Sequence, residues 1–504
     1  MRHLCGTLKA VKTKKNNGFG VDLVYRKRNR EQMTVEDFVP PFGGKLNAEN
    51  RWVKMAKIIP WDMIEEIYAA TFKDEKNDGR PPIPARVAFG ALYIKEYENF
   101  PQERTMQHIS ENVYMQYFLG LTEFNPKPLF DSSVLTRISA RFTKDDIAKI
   151  NEEIYRRTHP SDVDPPEDGP PSDDSGGNNK GTLILDATVA PADIRYPTDL
   201  STLNECREDT EKMIDAVWDK TERKGHKTAY NRKKARKGYL KIAKQRKPRK
   251  NKRRQAVREQ LEYVEKNVET LENIQSKIGS ESFGLHNTKQ LEVIKEIAQQ
   301  QRLHYDNPTP PIPNRIVSVS QPHIRPIVRG KAGREVEFGQ KISLSVVNGF
   351  AFIEDQKWNN FAEGITLKES AEKYKKRHGV YPKAILADKA YRNRDNLKFC
   401  KENGIRLSGP RLGRPRAEEL EADKEQAYQD SCDRNIVEGR FGVNKRRYGL
   451  NLVYARLEQT GEIEAAINIL CMNVAHVLRN LLRFLLLRLF WRKFRNILLC
   501  NANV

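Results

Sequence analysis

The hydrophobic pattern predicts helices in the first third of the chain. Apolar residues recur three and four positions apart in four segments, which would place them on one face of an amphipathic helix. The segments span residues 61–72, 84–98, 105–121 and 131–142. We therefore predict a helical domain over 51–158, preceded by a basic arm at 1–50.

A change of composition follows that domain. Residues 159–180 are rich in Pro, Gly, Ser and Asp and cannot bury a core, so we interpret them as an acidic linker. The apolar run at 182–190 comes directly afterwards and predicts a buried strand.

A second helical region is predicted over 207–314. Apolar residues alternate four and three apart, as in a heptad seam, at Val257, Leu261, Val264, Val268 and Leu271. After a break at 279–284, a returning helix is indicated by Leu291, Ile294 and Ala298. The pattern predicts a helical insertion with a coiled-coil-like hairpin.

Strand and helix patterns alternate after residue 314. Strands are predicted at 383–391 and 405–410, and the segments 315–320 and 336–353 resemble paired antiparallel strands. Helices are predicted at 370–379, 394–404, 434–449 and 461–485. This alternation indicates an α/β fold with a mixed sheet, built from 181–206 and 315–460, before a C-terminal helical region at 461–504.

Charge points to a polyanionic partner. The net charge is +22 and the pI is about 9.5, which favours nucleic acid over a membrane. Residues 221–260 hold 18 Lys and Arg against two Glu. Such a run is more typical of non-specific phosphate binding than of base reading, and a nuclear-targeting role is a further alternative. Six scattered cysteines without a CxxC pair indicate a reducing compartment and no zinc site.

One stretch raises the question of a membrane. Residues 481–500 are strongly apolar but are interrupted by Arg and Lys, so no run of about 20 uncharged residues exists. We favour a buried or partner-binding helix over a membrane-surface helix, and we expect no membrane partner.

Two acids follow apolar runs, and a third lies in a basic segment. Asp186 follows Leu183–Leu185, and Asp388 follows Ala384–Ala387, so each is predicted to end a buried strand. Either alone is more often a turn former or a helix cap. Glu438 lies four residues after Arg434, where the two would share a helix face and form an ordinary surface pair.

Together the three acids support another interpretation. Three carboxylates on neighbouring elements can hold two divalent ions roughly 3.5–4 Å apart, the arrangement used for phosphodiester displacement. Magnesium prefers such hard oxygen ligands. Lys389 and Arg392 next to Asp388, like the cations around Glu438, would then face phosphates.

Three motifs resemble those of the DDE transposases of bacterial insertion sequences. "LILDATVAPADIRYPTD" (183–199) is similar to the first-aspartate motif, and "AILADKAYRNRDNLKF" (384–399) to the second. "RNIVEGRFGVNK" (434–445) matches the third, in which Arg, three residues, Glu, six residues and Lys follow one another. Ser431 stands where that motif has a Tyr, and the insertion lies between the first and second acid rather than after the second.

The resemblance implies a fold, a chemistry and a site. It implies a ribonuclease-H-like mixed sheet flanked by helices, with an N-terminal helical domain that binds terminal repeats. Asp186, Asp388 and Glu438 would be the catalytic metal ligands for Mg²⁺, with Mn²⁺ as a substitute. The DNA contacts would come from Arg434, Lys445, Lys389, Arg392, Arg446 and Arg447.

The implied function is cleavage at the ends of an insertion sequence and strand transfer into target DNA. The protein would act as a homodimer or larger synaptic complex on double-stranded DNA, in the bacterial cytoplasm at the nucleoid. Two alternatives stay open: a ribonuclease-H-like nuclease without strand transfer, and a non-catalytic DNA-binding remnant. Asp193 and Asp199 lie near the first motif but are not assigned to the site.

Overall fold

A computed structural model describes most of the chain. It covers residues 34, 36–41, 44–72, 81–160, 179–218, 232–309, 312–331, 334–409 and 417–501. The predicted basic arm up to residue 33 and the linker at 161–178 lie outside the described residues.

The N-terminal region is helical, as predicted. Its helices are α1 (Arg51–Ile58), α2 (Trp61–Ala70), α3 (Ala85–Glu98), α4 (Gln102–Glu111), α5 (Val113–Phe118), α6 (Val134–Ser139) and α7 (Lys144–Thr158). The single helix predicted at 105–121 is two, because Asn112 ends α4 and caps α5 through its side chain. A capping box of Thr143 and Asp146 begins α7.

The described strands form one mixed sheet. They are β1 (Thr182–Pro191), β2 (Arg325–Lys331), β3 (Arg334–Val347), β4 (Phe350–Lys357), β5 (Ala384–Leu386) and β6 (Arg406–Leu407). The order across the sheet is β4–β3–β1–β5–β6, and β2 pairs with the first half of β3. The β4–β3–β1 pairs are antiparallel, whereas β1–β5 and β5–β6 are parallel.

The antiparallel part was predicted, with one error. Strands β3 and β4 overlap the predicted antiparallel segment 336–353 and extend beyond it at both ends; Asn348 and Gly349 join them, both with positive φ, as a tight hairpin turn requires. The prediction of a strand at 315–320 is wrong, because that segment has no regular secondary structure. Its Ile316 and Val319 are instead buried against the helical insertion.

The insertion leaves the sheet after β1 and returns at β2. It contains α8 (Asp199–Trp218), α9 (Arg232–Ala243), α10 (Lys250–Phe283) and α11 (Leu285–Asp306). The predicted seam is buried, and α10 packs against α8 and antiparallel α11. The predicted break is a kink at Gly279 within α10 and a second break at Gly284. These helices enclose a hydrophobic core of their own.

The remaining helices cover the sheet. They are α12 (Leu367–His378), α13 (Arg394–Glu402), α14 (Ala417–Arg447) and α15 (Glu458–Asn501). The N-terminal helices share one hydrophobic core with the sheet and with α15. A buried amide network joins them: Asn473 of α15 donates to Asn151 of α7 (2.9 Å) and to the Ala351 carbonyl of β4 (2.7 Å).

Within the described residues, one stretch has the length and composition to cross a membrane. It spans Glu458–Leu481, and 89% of its most apolar window is buried inside the protein. This stretch is the core segment of α15 and precedes the apolar run at 481–500.

Candidate active site

Asp186 lies inside a strand, not at its end. Strand β1 continues to Pro191, and Asp186 is paired with Leu344 of β3, so the predicted strand-end position is wrong. The parallel partner β5, however, pairs with β1 only as far as Ile184. Asp186 is therefore the point where β1 continues beyond its parallel neighbour.

Asp388 follows the end of β5, as predicted. The last β1–β5 pair is Ile184 with Leu386, and each aspartate stands two residues further along its own strand. Asp388 is still extended (φ −70°, ψ 166°), which keeps it on the side of its strand that Leu386 occupies. Adjacent strands lie about 4.8 Å apart, so this register brings the backbone that carries the two aspartates to the same edge of the sheet.

The Asp388 position is held by the neighbouring strand. The Ser408 hydroxyl donates to the Ala387 carbonyl (3.1 Å) and accepts from the Ala387 amide (2.9 Å). One carboxylate oxygen of Asp388 accepts from the Lys389 amide (2.5 Å) and caps the short 3₁₀ turn Lys389–Tyr391. Its side chain is exposed.

Asp186 faces the helices α14 and α15. Its partner Leu344 shares a sheet face with Gln340, because side chains alternate along a strand. The Gln340 amide donates to the Gly461 carbonyl at the start of α15 (2.9 Å), which fixes that face. Helix α14, which carries Glu438, packs against both β1 and β5.

Three contacts set the position of α14. Asp430 accepts two hydrogen bonds from Arg406 of β6 (2.6 and 2.8 Å), and Arg440 lies 2.7 Å from His476 of α15. Val437 and Phe441 are buried, four residues apart on one helix face. Glu438 directly follows Val437 and is exposed at the border of that face.

Arg434 and Glu438 do not form the surface pair that was the simpler explanation. Among the described residues, neither makes an ion pair. Both instead act on Asp186. Burial is the largest cause that raises the pKa of Asp186, the Ala187 amide lowers it, Glu363 and Glu438 raise it, and Arg434 lowers it. The first and third predicted acids thus share one electrostatic environment with Arg434.

Glu363 is an acid that the sequence analysis did not select. It begins a 3₁₀ turn (Glu363–Thr366) and forms an ion pair with the buried Lys341 of β3 (2.9 Å). Its turn packs closely against the turn that follows Asp388. A Cβ added at Gly364 would lie only 2.7 Å from the Ala390 carbonyl oxygen. No strand-end or helix pattern marks Glu363, so only the contacts reveal it.

The side chains predicted to contact DNA differ in their exposure to solvent. Lys389, Arg446 and Arg447 are exposed, the last two in the final turn of α14. Lys445 is half-buried. Arg392 donates to the carbonyls of Leu407 (3.1 Å) and Ser408 (2.6 Å), so one of its nitrogens stabilises the end of β6.

The acids suit a hard divalent ion by their chemistry. Asp186 and Asp388 each use one oxygen for the next backbone amide, at 2.8 and 2.5 Å, and no hydrogen bond to the other oxygen occurs within the described residues. Among those residues, no three His, Cys, Asp or Glu side chains converge closely enough to hold a metal. The donor set thus fits magnesium, whereas the side chains are not gathered around a common point.

Two family models match the chain. The transposase DDE domain matches residues 385–475, and the transposase domain called DUF772 matches residues 41–141. These two matches indicate a DDE transposase of insertion sequences. No curated protein and no solved structure matches it.

The two matched ranges contain only part of the candidate site. The DDE match contains Asp388, Arg434, Glu438 and Lys445, whereas Asp186 lies outside it. The insertion α8–α11 separates Asp186 from the rest of the site in sequence and lies outside both matches. Asp186 is joined to the matched segment by its register with β5.

Proposed function

We propose that this transposase binds the ends of its own element and catalyses metal-dependent DNA cleavage and strand transfer. The observation that carries the proposal is the register of β1 with β5. It brings together the strands that carry Asp186 and precede Asp388, while α14 brings Glu438 near enough to act on the pKa of Asp186. Three acids distant in sequence therefore belong to elements that pack together at one edge of the sheet.

The strand order supports a ribonuclease-H-like catalytic fold. Three antiparallel strands, β4, β3 and β1, are followed by the parallel β5 and β6, with the first acid on the central strand. In a sheet with parallel strands, ligands bind beyond the carboxyl ends of those strands, which is where Asp388 lies.

The proposed roles follow from these positions. Asp186, Asp388 and Glu438 would hold Mg²⁺ or Mn²⁺, and the bound ion would supply activation of a water or a 3′-hydroxyl and stabilisation of the leaving oxygen. Arg434 and Lys445 hold phosphates of the transferred end, and Lys389, Arg446 and Arg447 extend that contact. Arg392, directly after the Asp388 turn, belongs to the same proposed contact.

The wider assembly is part of the same proposal. The N-terminal helices bind the terminal repeats, and a homodimer or larger synaptic complex brings two ends together. The protein works in the cytoplasm, on the DNA of the nucleoid.

The test is a cleavage assay with labelled DNA that carries the ends of the source element. Wild type would be compared with Asp388→Asn and Glu438→Gln, with Mg²⁺ or with EDTA. We expect both variants to bind DNA and to lose cleavage activity on the order of a thousandfold, because a bound metal lowers the activation barrier by several kcal/mol. Matched controls are Asp395→Asn, in the first turn of α13, and Glu425→Gln, exposed on α14.

Each outcome selects one function. Metal-dependent cleavage that the controls retain supports the proposed site, and cleavage that survives both site variants would contradict it. Joining of pre-cut ends separates a transposase from a nuclease that only cuts. Binding without cleavage under Mg²⁺ and Mn²⁺ would instead indicate a DNA-binding remnant.

A further inference from the structure

The insertion concentrates positive charge in its first half. Between Arg232 and Arg258 the chain has 15 Lys and Arg and no Asp or Glu. These residues form α9, the turn at 244–249 and the beginning of α10. The remainder of α10 and all of α11 contain acids and cations in mixture, so the charge is local.

Most of these cations are exposed and unpaired. Arg232 pairs with Asp215 (2.7 Å), Arg258 pairs with Glu262 (3.5 Å), and Arg254 lies over the Tyr305 ring. The others make no ion pair with any residue that the structure describes. They are Lys233, Lys234, Arg236, Lys237, Lys241, Lys244, Arg246, Lys247, Arg249, Lys250, Lys252 and Arg253.

Helix α9 separates its apolar and charged residues. Ala235, Tyr239 and Ile242 are buried, at the spacing of one helix face. Lys and Arg occupy every exposed position except Ala243 along its 12 residues, a length of about 18 Å. Duplex DNA carries about one negative charge per 1.7 Å of its axis, so a cationic surface of this length matches several phosphates.

The charged turn lies at the end of the insertion nearest the sheet. Helix α9 begins beside the far end of α8, where Arg232 meets Asp215, and returns to the β1–α8 connection, where Arg195 donates to the Tyr239 hydroxyl (3.4 Å). Arg254 contacts Tyr305 near the end of α11, which leads back to the sheet. Because β1 runs past Asp186 into this connection, the turn lies on the side of the sheet to which the active-site strands run.

The arrangement is unfavourable without an anion. Arg249, Lys250, Lys252 and Arg253 repel one another and stand at the positive end of the α10 dipole, where no acid is present in the first turn. Phosphates would relieve both effects. Lys and Arg on a helix surface contact phosphates more often than base edges, so the contact would not depend on sequence.

We propose that residues 241–254 form a second DNA-binding surface, which holds the phosphate backbone of duplex DNA beside the catalytic edge. The identity of this DNA, namely the element end or its flank, rests on the proposed function. The surface adds affinity and positions the duplex, while the acids of the site perform the chemistry.

The test measures DNA binding of the full chain as a function of salt. One variant carries Lys247→Gln, Lys250→Gln and Lys252→Gln. The matched control carries Lys266→Gln, Lys277→Gln and Lys289→Gln, three exposed lysines further along α10 and α11. We expect the slope of log affinity against log salt to fall by about 2.7 in the first variant, since each lost phosphate contact removes about 0.9. We expect the same loss on element ends and on unrelated duplexes, and little change in the control.

The outcomes distinguish this proposal from the function itself. Equal slopes for the two variants would contradict the second surface, whether or not the wild type cleaves DNA. A selective loss in the first variant supports it, even if wild type cuts nothing and the transposase activity fails its own test. A loss confined to single-stranded RNA would overturn it as well. Circular dichroism melts verify that both variants are folded.

Discussion

The two helical regions of this protein relate to the catalytic sheet in opposite ways. The N-terminal helices are separated from β1 by a composition typical of a linker, yet they share one core with the sheet and α15. The insertion is continuous with the catalytic chain at both ends, yet it encloses a core of its own. Packing and sequence continuity therefore divide the molecule differently.

The difference has a functional consequence. The N-terminal helices, the proposed binders of the terminal repeats, are fixed to the sheet through α7 and the Asn473 network, so a bound end would be held in register with the acids. The insertion joins the sheet through its connecting segments, with Ile316 and Val319 packed on its core. It places positive charge near the candidate site, but its hydrophobic core is separate from the core of the sheet.

The strongest test of this comparison is Tyr155→Ala in α7. Tyr155 is 1% exposed and packs edge-on against Phe350 and Phe352 of β4. We expect a loss of about 3–5 kcal/mol in stability, the usual cost of removing a buried aromatic ring. Hydrogen exchange should rise in the N-terminal helices and in the sheet together, whereas Tyr428→Ala, at 67% exposed, should change little. Exchange confined to the N-terminal helices would show that the two regions unfold independently.

The counterpart in the insertion is Leu261→Ala. Leu261 is fully buried in the seam of α10, and its truncation should cost about 2–5 kcal/mol. We expect the increase in hydrogen exchange to stay within α8–α11, because this core is separate. Leu303→Ala, at 64% exposed on α11, is the control. Faster exchange in β1 and β3 would mean that the insertion supports the sheet.

The smallest expected effect is a pH dependence at His476. Burial, with Arg440 and Arg479 beside it, lowers the pKa of His476 to about 4, from 6.5 in an unfolded chain. The folded protein thus holds the ring neutral, and stability from this residue is lost as the pH falls from 6.5 towards 4. The stability advantage of wild type over His476→Asn should therefore shrink between pH 7.5 and pH 5. His286→Asn, exposed on α11, is the control, and an advantage that grows on acidification would contradict the assignment.

Local patterns predicted most elements because each depends on nearby residues. The heptad seam of α10 and the helices α12 and α13 follow from spacing or caps. The failures concern non-local pairing. Asp186 lies inside β1 and not at its end because β3 continues to pair with that strand, and 315–320 is not a strand because its apolar residues pack on helices.

The sequence alone determined which residues are candidates for the site: two aspartates after apolar runs, a glutamate in the Arg–Glu–Lys spacing, and the cations of a strongly basic insertion. The tertiary structure decided which residues meet. The β1–β5 register, the Arg406–Asp430 contact and the contact between the Glu363 and Asp388 turns join segments far apart in the chain. Such contacts depend on complementary surfaces of several elements at once, so no single stretch of sequence encodes them.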